Sequence, residues 1–311
     1  MLSRTADHLY WMARYTERAE NLARLLDVSY QMSLVPQSVA SRNENWRAIL
    51  ALNSLEADFA ETNREVNVES VLRFMVSDPA NPSSIFNCLR AARENAHAVR
   101  GTMTAEMWES VNATWIELRQ QNFEHILARG ISEFFDWVKL RSAVTRGVTF
   151  GTMLKDDALH FIRLGGLLER GDNTARILDM QYHILRQNDD EGASDFYRWG
   201  ALLRSVSAFQ VYRKVYRDAI TPGRVAELLI LREDLPRSLH ACADGIVRML
   251  QLVANKASAE TVRQAGVLHA RLHFARIEDV LAGGLHEYLT DFMDRIFELG
   301  DGVSRDFLVP G

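Results

Sequence analysis

The sequence predicts an all-α protein, a helical bundle made of two pseudo-repeated halves. No proline occurs between Pro82 and Pro222, and Leu, Ala, Arg, Glu and Met recur there at three- and four-residue spacing. That spacing is typical of helices, and the alternation that marks strands is almost absent. Residues of the first half also recur in order 152 to 154 positions later. Duplication followed by short insertions produces such a drifting offset.

The helical pattern and its start and stop signals divide the chain into ten predicted helices. Their approximate ranges, in chain order, are 4–31, 44–60, 84–99, 104–118, 131–147, 153–187, 195–217, 236–253, 257–272 and 284–308. The polar stretches 37–45 and 187–194 follow the long first helix of each half, and both are predicted to be loops.

The repeated residues define the predicted domain organisation. An offset of 152 maps His8 to His160, Glu17 to Glu169 and Arg24 to Arg176, an offset of 153 maps Trp46 to Trp199, and an offset of 154 maps Cys88 to Cys242. We therefore expect a first helical repeat over 1–118, a connecting helical segment over 119–152 and a second repeat over 153–311, packed as one compact body. The two matched cysteines are predicted to be small buried core residues.

Composition and charge exclude several classes of protein. The hydrophobic fraction of 47% and the charged fraction of 25% are those of an ordinary globular protein. The net charge is −5 with basic residues interspersed among acidic ones, which argues against a nucleic-acid partner. The sequence contains neither a signal-peptide pattern nor an apolar run of about 20 residues, so we expect a cytoplasmic protein without a membrane partner. Homo-oligomerisation is left open.

The most informative segments are 17–27 and 169–179, which we call the Glu-Arg segments. Seven of their eleven positions are identical. On a helix, Ala19, Leu22 and Leu26 share an apolar face, whereas Glu17 and Arg24 point the other way and form a polar ridge. The candidate ligand-binding residues on the two ridges are Arg18, Glu20, Asn21, Arg24, Arg170, Asp172, Asn173 and Arg176.

Two interpretations of the ridges stay open. In the first, Glu and Arg of one segment pair with Arg and Glu of the other in a buried ion network, where every donor and acceptor must be satisfied. In the second, both ridges line one cleft, in which arginine clamps a carboxylate or phosphate and glutamate binds an amine or moves a proton. Glu17 and Glu169 are the candidate catalytic residues in that case.

Residues along much of the chain resemble the alpha-E domain family, bacterial all-helical proteins named for a Glu-Arg motif. The residues that carry the resemblance are 15–21, 82–85, 92–96, 106–108 and 168–173. The resemblance implies that the gene lies beside genes for a circularly permuted ATP-grasp ligase and a transglutaminase-like protein. It implies no reaction for the family itself, and it leaves open whether this chain is an enzyme.

Three functional hypotheses follow. The leading one is an accessory or ligand-binding helical protein in an ATP-grasp- and transglutaminase-linked peptide or amide-bond-forming pathway, which binds an anionic peptide-like ligand or the ligase. The second is an enzyme that acts on the peptide-like product with Glu17 and Glu169 as acid and base. In the third, the Glu-Arg helices are purely architectural.

Other motifs are weaker. The spacings Glu94-x-x-His97 and Asp157-x-x-His160 are those of helical metal sites, but the other half does not repeat either of them, so no metal and no cofactor is predicted. The acidic run 189–191 is predicted to be a solvated turn. Gly165 and Gly166 match no phosphate-binding loop, and they predict close helix packing instead.

Overall fold

A computed structural model describes residues 1–35, 38–187 and 193–308 of the chain. Within these ranges it is all-helical, with one short 3₁₀ turn at Arg100–Thr102 and no strand. The α-helices are α1 (Ser3–Ser33), α2 (Val39–Leu52), α3 (Glu56–Glu61), α4 (Val68–Ser77), α5 (Ile85–Ala98), α6 (Ala105–Leu118), α7 (Phe123–Arg129), α8 (Ile131–Thr152), α9 (Asp157–Gln187), α10 (Ala193–Ser205), α11 (Phe209–Tyr216), α12 (Pro222–Ile230), α13 (Leu239–Val253), α14 (Ala259–His273), α15 (Ile277–Gly283) and α16 (Leu285–Phe307). The predicted all-α class is confirmed.

Two predicted helices are each broken in two. The range 44–60 divides into α2 and α3 at Ser54, and the range 195–217 divides into α10 and α11 at Ser207. Both serines have a positive φ, of 56° and 57° respectively. A serine in the left-handed region ends a helical run without the glycine or proline that sequence reasoning looks for.

The loop predicted over 37–45 is wrong from residue 39 onward. The side chain of Ser38 accepts a hydrogen bond from the backbone N–H of Ser41 and caps α2, which begins at Val39. A polar stretch of this kind can therefore be the first turns of a helix that serine initiates. The other predicted loop, 187–194, and the acidic run 189–191 lie largely or wholly outside the described residues.

The chain divides into two compact units, and the boundary falls inside α1. The C-terminal unit comprises Met1–Arg14 and Leu154–Gly311, and the N-terminal unit comprises Tyr15–Met153. The three-part division expected from the sequence stays a prediction. None of the helices in the described part of the chain is long and apolar enough to cross a membrane.

In the N-terminal unit, helices α5, α6 and α8 pack against one another, and α4 packs on α5. Its core includes the fully buried side chains of Trp46, Phe74, Phe135 and Cys88. Burying aromatic and aliphatic surface of this size is the main favourable contribution to such a unit. The core therefore fixes α4, α5, α6 and α8 relative to one another, and α8 carries the residues that contact the first Glu-Arg segment.

In the C-terminal unit, α9 packs against both α13 and α16. Trp199, Tyr212 and Cys242 are buried in its core, so the expectation that both cysteines are buried is confirmed. The close helix packing expected at Gly165 and Gly166 occurs at Gly165 and not at Gly166. A Cβ at Gly165 would overlap the carbonyl oxygen of Tyr10, whereas a Cβ at Gly166 would meet nothing within 4 Å.

Candidate functional site

The polar ridge of the first Glu-Arg segment is buried. Glu20 is 0% exposed, Glu17 4% and Asn21 3%, values as low as those of the apolar face of the same helix. Helix α1 is therefore enclosed on its polar side as well as its apolar side. Such groups require partners, because an unpaired buried carboxylate is too costly for a marginally stable fold.

The partner of both glutamates in the N-terminal unit is Arg146 of α8. Its Nη1 donates to Glu20 Oε2 at 2.9 Å and to Glu17 Oε2 at 3.3 Å, and its Nη2 donates to Glu20 Oε1 at 3.3 Å. The Arg146 side chain is 32% exposed, so part of it reaches solvent. One arginine thus ties α8 to two carboxylates on successive turns of α1.

Arg24 supplies a second cation from the same helix. Its Nε and Nη2 both donate to Glu20 Oε1, at 3.0 and 2.7 Å. Glu20 therefore accepts hydrogen bonds from two guanidinium groups, and Glu17 accepts one from Arg146. A neutral, hydrogen-bonded set is the form in which buried charges are tolerated.

The C-terminal unit arranges the second segment differently. Glu169 is 6% exposed, and its Oε2 accepts a 2.8 Å bond from Nε of Arg14, which lies on the N-terminal part of α1. Arg14 Nη1 also donates to the hydroxyl of Tyr10 at 3.2 Å, and the guanidinium lies 5.1 Å from the ring centre of Trp11. Burial by itself would lower the pKa of Arg14, but Tyr10 and Glu169 outweigh that effect and raise the pKa.

The remaining charged residues of the second segment are more exposed. Arg176 Nε donates to Asp172 Oδ2 at 2.8 Å, and the two side chains are 40% and 24% exposed. Arg170 and Asn173 are half-buried on the same helix. The Arg176 side chain is more accessible than that of Arg24, the matching residue of the first segment, which is 20% exposed.

The last residue of each segment ties its helix to the final helix of the same unit. Lys139 of α8 donates to Asp27 Oδ2 at 2.7 Å. His286 of α16 lies 2.8 Å from Asp179 Oδ1 through its Nδ1. Each Glu-Arg segment is therefore held at more than one point along its length.

Within each unit, the structure thus brings the predicted residues close together. The pairs within one helix follow from the sequence spacing, whereas the pairs between helices do not. Arg24 and Arg176 pair with acids of their own helix, and Arg14 of α1 bonds to Glu169 of α9. Arg18 lies over the ring of Tyr15, at 5.7 Å from its centre. The residue that sequence reasoning missed is Arg146, since a single arginine within a long helix carries no spacing signal.

The weaker metal-site spacings gain no support from the described residues. Glu94 is exposed and lies 4.0 Å from Arg90, and Asp157 accepts a 3.1 Å bond from the N-terminal amine. Neither pair takes part in the one group of three convergent metal-ligand side chains that the described ranges contain. That group lies elsewhere in the C-terminal unit, on α13 and α14.

Comparison with known proteins identifies the relatives of the chain. Residues 1–308 match the model of the Alpha-E family, a predicted alpha-helical domain with a conserved ER motif. Uncharacterized proteins of Mycobacterium bovis and Mycobacterium tuberculosis are 23% identical to it over 321 aligned positions. These alignments cover 93% of this chain and 35% of each relative, so the chain spans about a third of the length of those proteins. No solved structure matches the chain.

The resemblance found from the sequence is therefore confirmed, and it extends over essentially the whole chain. The ER motif in the family description corresponds to Glu17-Arg18 and Glu169-Arg170, which begin the two segments. With its all-helical fold and its buried glutamates, the chain belongs to the Alpha-E family.

Proposed function

We propose that the chain is an accessory helical protein in a peptide or amide-bond-forming pathway, and that its Glu-Arg residues hold the helices in place for binding a partner. The observation that carries this proposal is the burial of Glu17, Glu20 and Glu169, each bonded to an arginine of another segment or helix. A general acid or base must reach the proton that it transfers. Carboxylates enclosed by arginines are better suited to fixing helices.

Internal duplication is part of the same proposal. The described residues with a positive φ form three pairs at offsets of 153 or 154, namely Ser54 with Ser207, Asn63 with Arg217 and Gly130 with Gly284. Left-handed backbone at non-glycine residues is uncommon, so the two matched non-glycine pairs support a common ancestor for the two series of helices, and the glycine pair agrees with it. The series α1–α8 and α9–α16 would then be the two copies.

Under duplication, the arginine that binds the buried glutamate comes from a different helix in each copy: Arg146 of α8 for Glu17, and Arg14 of α1 for Glu169. The position matched to Arg146 is Gly300, and the position matched to Arg14 is Gly166. A Cβ at Gly300 would lie 3.9 Å from Arg14 Nη1, so Arg14 lies beside the position that carries an arginine in the other copy. Each buried glutamate keeps one arginine from outside its own segment, although a different helix supplies it. Retention of the pair while its source changed supports a structural requirement for neutrality.

The greater length of the relatives also supports an accessory role. About two thirds of each mycobacterial protein lies outside the part that aligns with this chain. In those proteins the region similar to this chain is joined to further sequence, which suits a helical module that works beside a partner. By the family resemblance we propose a cytoplasmic ATP-grasp ligase as that partner, with a transglutaminase-like protein in the same pathway.

The proposal is tested by expressing the tagged chain together with the companion ATP-grasp ligase. We expect the ligase to co-purify with the chain, and we expect the purified chain alone not to turn over ATP or simple peptides. Turnover by the isolated chain that is lost in Glu17→Gln or Glu169→Gln, with the fold intact, would support an enzyme instead. Failure of the ligase to bind under any condition would contradict the accessory role.

A further inference from the structure

Three histidines converge in the C-terminal unit, away from both Glu-Arg segments. They are His240 on α13 and His269 and His273 on α14, and their candidate ligand nitrogens all lie within 4.8 Å of one another. The ring centres are 5.4 to 5.7 Å apart. Within the described ranges, no other group of three histidine, cysteine or carboxylate side chains places its potential ligand atoms this close together.

The two helices place the histidines for clear local reasons. Ser238 caps α13 by accepting a bond from the backbone N–H of Ala241, so His240 lies in the first turn. His269 and His273 are four residues apart near the C-terminal end of α14, and residues at this spacing share one face of a helix. Because α13 and α14 pack together, the start of one helix meets the end of the other.

A backbone carbonyl orients the buried member of the cluster. His240 is 5% exposed, and its Nδ1 lies 3.0 Å from the carbonyl oxygen of Leu231. Since a carbonyl can only accept, Nδ1 carries the hydrogen and Nε2 has the lone pair. An imidazole that donates one N–H to a backbone carbonyl is the usual arrangement behind a metal ligand, because that bond fixes both the tautomer and the ring orientation.

The separation of the nitrogens suits a metal after a small closure. An ion at the centre of a triangle with sides of 4.8 Å would lie about 2.8 Å from each nitrogen, against about 2.0–2.1 Å in a zinc–imidazole bond. Each ring would therefore move inward by roughly 0.7 Å. His269 is half-buried and His273 is exposed, so both rings have room for such a rotation and an ion can enter from solvent.

Within the described ranges, the cluster consists of three metal-ligand side chains and no fourth. The nearest printed carboxylate oxygen, Asp244 Oδ1, lies 3.8 Å from His269 Nε2, beyond hydrogen-bond distance. Arg248 pairs with both oxygens of that carboxylate at 3.0 Å. Three protein ligands with an open fourth position are typical of zinc sites that bind water or a substrate, whereas structural zinc sites have four protein ligands.

We infer that His240, His269 and His273 form a binding site for a divalent transition-metal ion of the zinc type, with one open coordination position. Imidazole ligands suit zinc and its neighbours and do not suit calcium or magnesium, which take oxygen ligands. The site is independent of the proposed accessory function. The part of it that can be recognised in the sequence is the His269-x-x-x-His273 spacing. His240 comes from a different helix, and its contribution is a property of the fold.

The test is a zinc titration of the full chain after removal of metal with a chelator, followed by isothermal calorimetry at neutral pH. We expect one zinc ion per chain, and at least tenfold weaker binding in His269→Gln and in His273→Gln. The matched control is His125→Gln, which removes an exposed histidine of the N-terminal unit and should leave the affinity unchanged. Circular dichroism of each metal-free variant shows that the fold is retained.

A second measurement does not depend on any variant. Cobalt added to the metal-free wild-type chain should give the intense visible absorption of a four- or five-coordinate nitrogen-ligated ion, and zinc should displace it. Zinc should also raise the melting temperature of the wild type and not that of His273→Gln. Absence of zinc binding, binding that survives both substitutions, or a cobalt spectrum of the hydrated ion would overturn the inference.

Discussion

Replacing Arg146 by methionine should destabilise the N-terminal unit far more than the loss of a surface arginine does. Arg146 is the cation that contacts both Glu17 and Glu20, at 3.3 and 2.9 Å, and these carboxylates are 5% and 0% exposed. Methionine keeps the apolar stem of the side chain and removes its charge. The variant would therefore remove from Glu17 and Glu20 a guanidinium that donates to both of them.

The size of the effect follows from these contacts. Removing one partner of a buried ion pair costs about 3–5 kcal/mol. We expect the lower end, about 3 kcal/mol, since Glu20 keeps Arg24 and the Arg146 side chain is already 32% exposed. For a unit of this size, such a loss corresponds to a melting temperature lower by roughly 6–12 °C.

The assay is guanidinium unfolding followed by circular dichroism, with Arg47→Met as the control. Arg47 pairs with Glu44 at the surface, where the two side chains are 57% and 73% exposed, so its loss should change the free energy of unfolding by no more than about 0.5 kcal/mol. Adding Glu17→Gln to Arg146→Met should recover part of the loss, because it removes the charge of one of the two carboxylates that lose a bond to Arg146. The reasoning is refuted if Arg146→Met costs no more than Arg47→Met.

Three further predictions concern other elements. Gly165→Ala should lower the melting temperature, because the added Cβ overlaps the carbonyl oxygen of Tyr10. Gly166→Ala places its Cβ in open space, so it should be neutral or stabilise the protein by up to about 1 kcal/mol. Equal melting curves for the two variants would contradict this. Arg24→Lys should cost about 1–3 kcal/mol of unfolding free energy and Arg176→Lys clearly less, since Arg176 is 40% exposed, and the reverse order in a denaturant titration would contradict the account. Burial, and then the hydrogen bond to the Glu227 carboxylate, raises the pKa of Tyr216 above its ordinary value near 10. The contribution of Tyr216 to stability is therefore complete below pH 10 and is lost as the pH rises further. In an alkaline unfolding series, Tyr216→Phe should accordingly lose less stability than the wild type.

Helical periodicity was sufficient to predict the fold class and most of the long helices. It could not locate the breaks at Ser54 and Ser207, because a left-handed serine has no signature of its own in a single sequence. It also missed the short helices α4, α7, α12 and α15, of 7 to 10 residues each. Helices of that length depend on tertiary packing more than on intrinsic propensity.

The residue types of the candidate site could be predicted, but not their partners. Two similar segments at a constant offset are visible in the sequence, and the structure buries Glu17 and Glu169, the first residue of each. The arginines that neutralise them come from other helices, Arg146 from α8 and Arg14 from an earlier turn of α1. Pairing across helices depends on how the helices pack, and the local spacing of residues does not contain that information.

The measurement that tests the central claim most directly is a comparison of stability and partner binding in the double variant Glu17→Gln, Glu169→Gln. If the buried glutamates serve the fold, the free energy of unfolding should fall by about 1–3 kcal/mol per site, because charged hydrogen bonds become neutral ones. Binding to the companion ligase, measured at a temperature where the variant is folded, should stay within about twofold of the wild type, which is a change in binding free energy of only about 0.4 kcal/mol. A double variant as stable as the wild type that has lost ligase binding or a catalytic activity would contradict the claim.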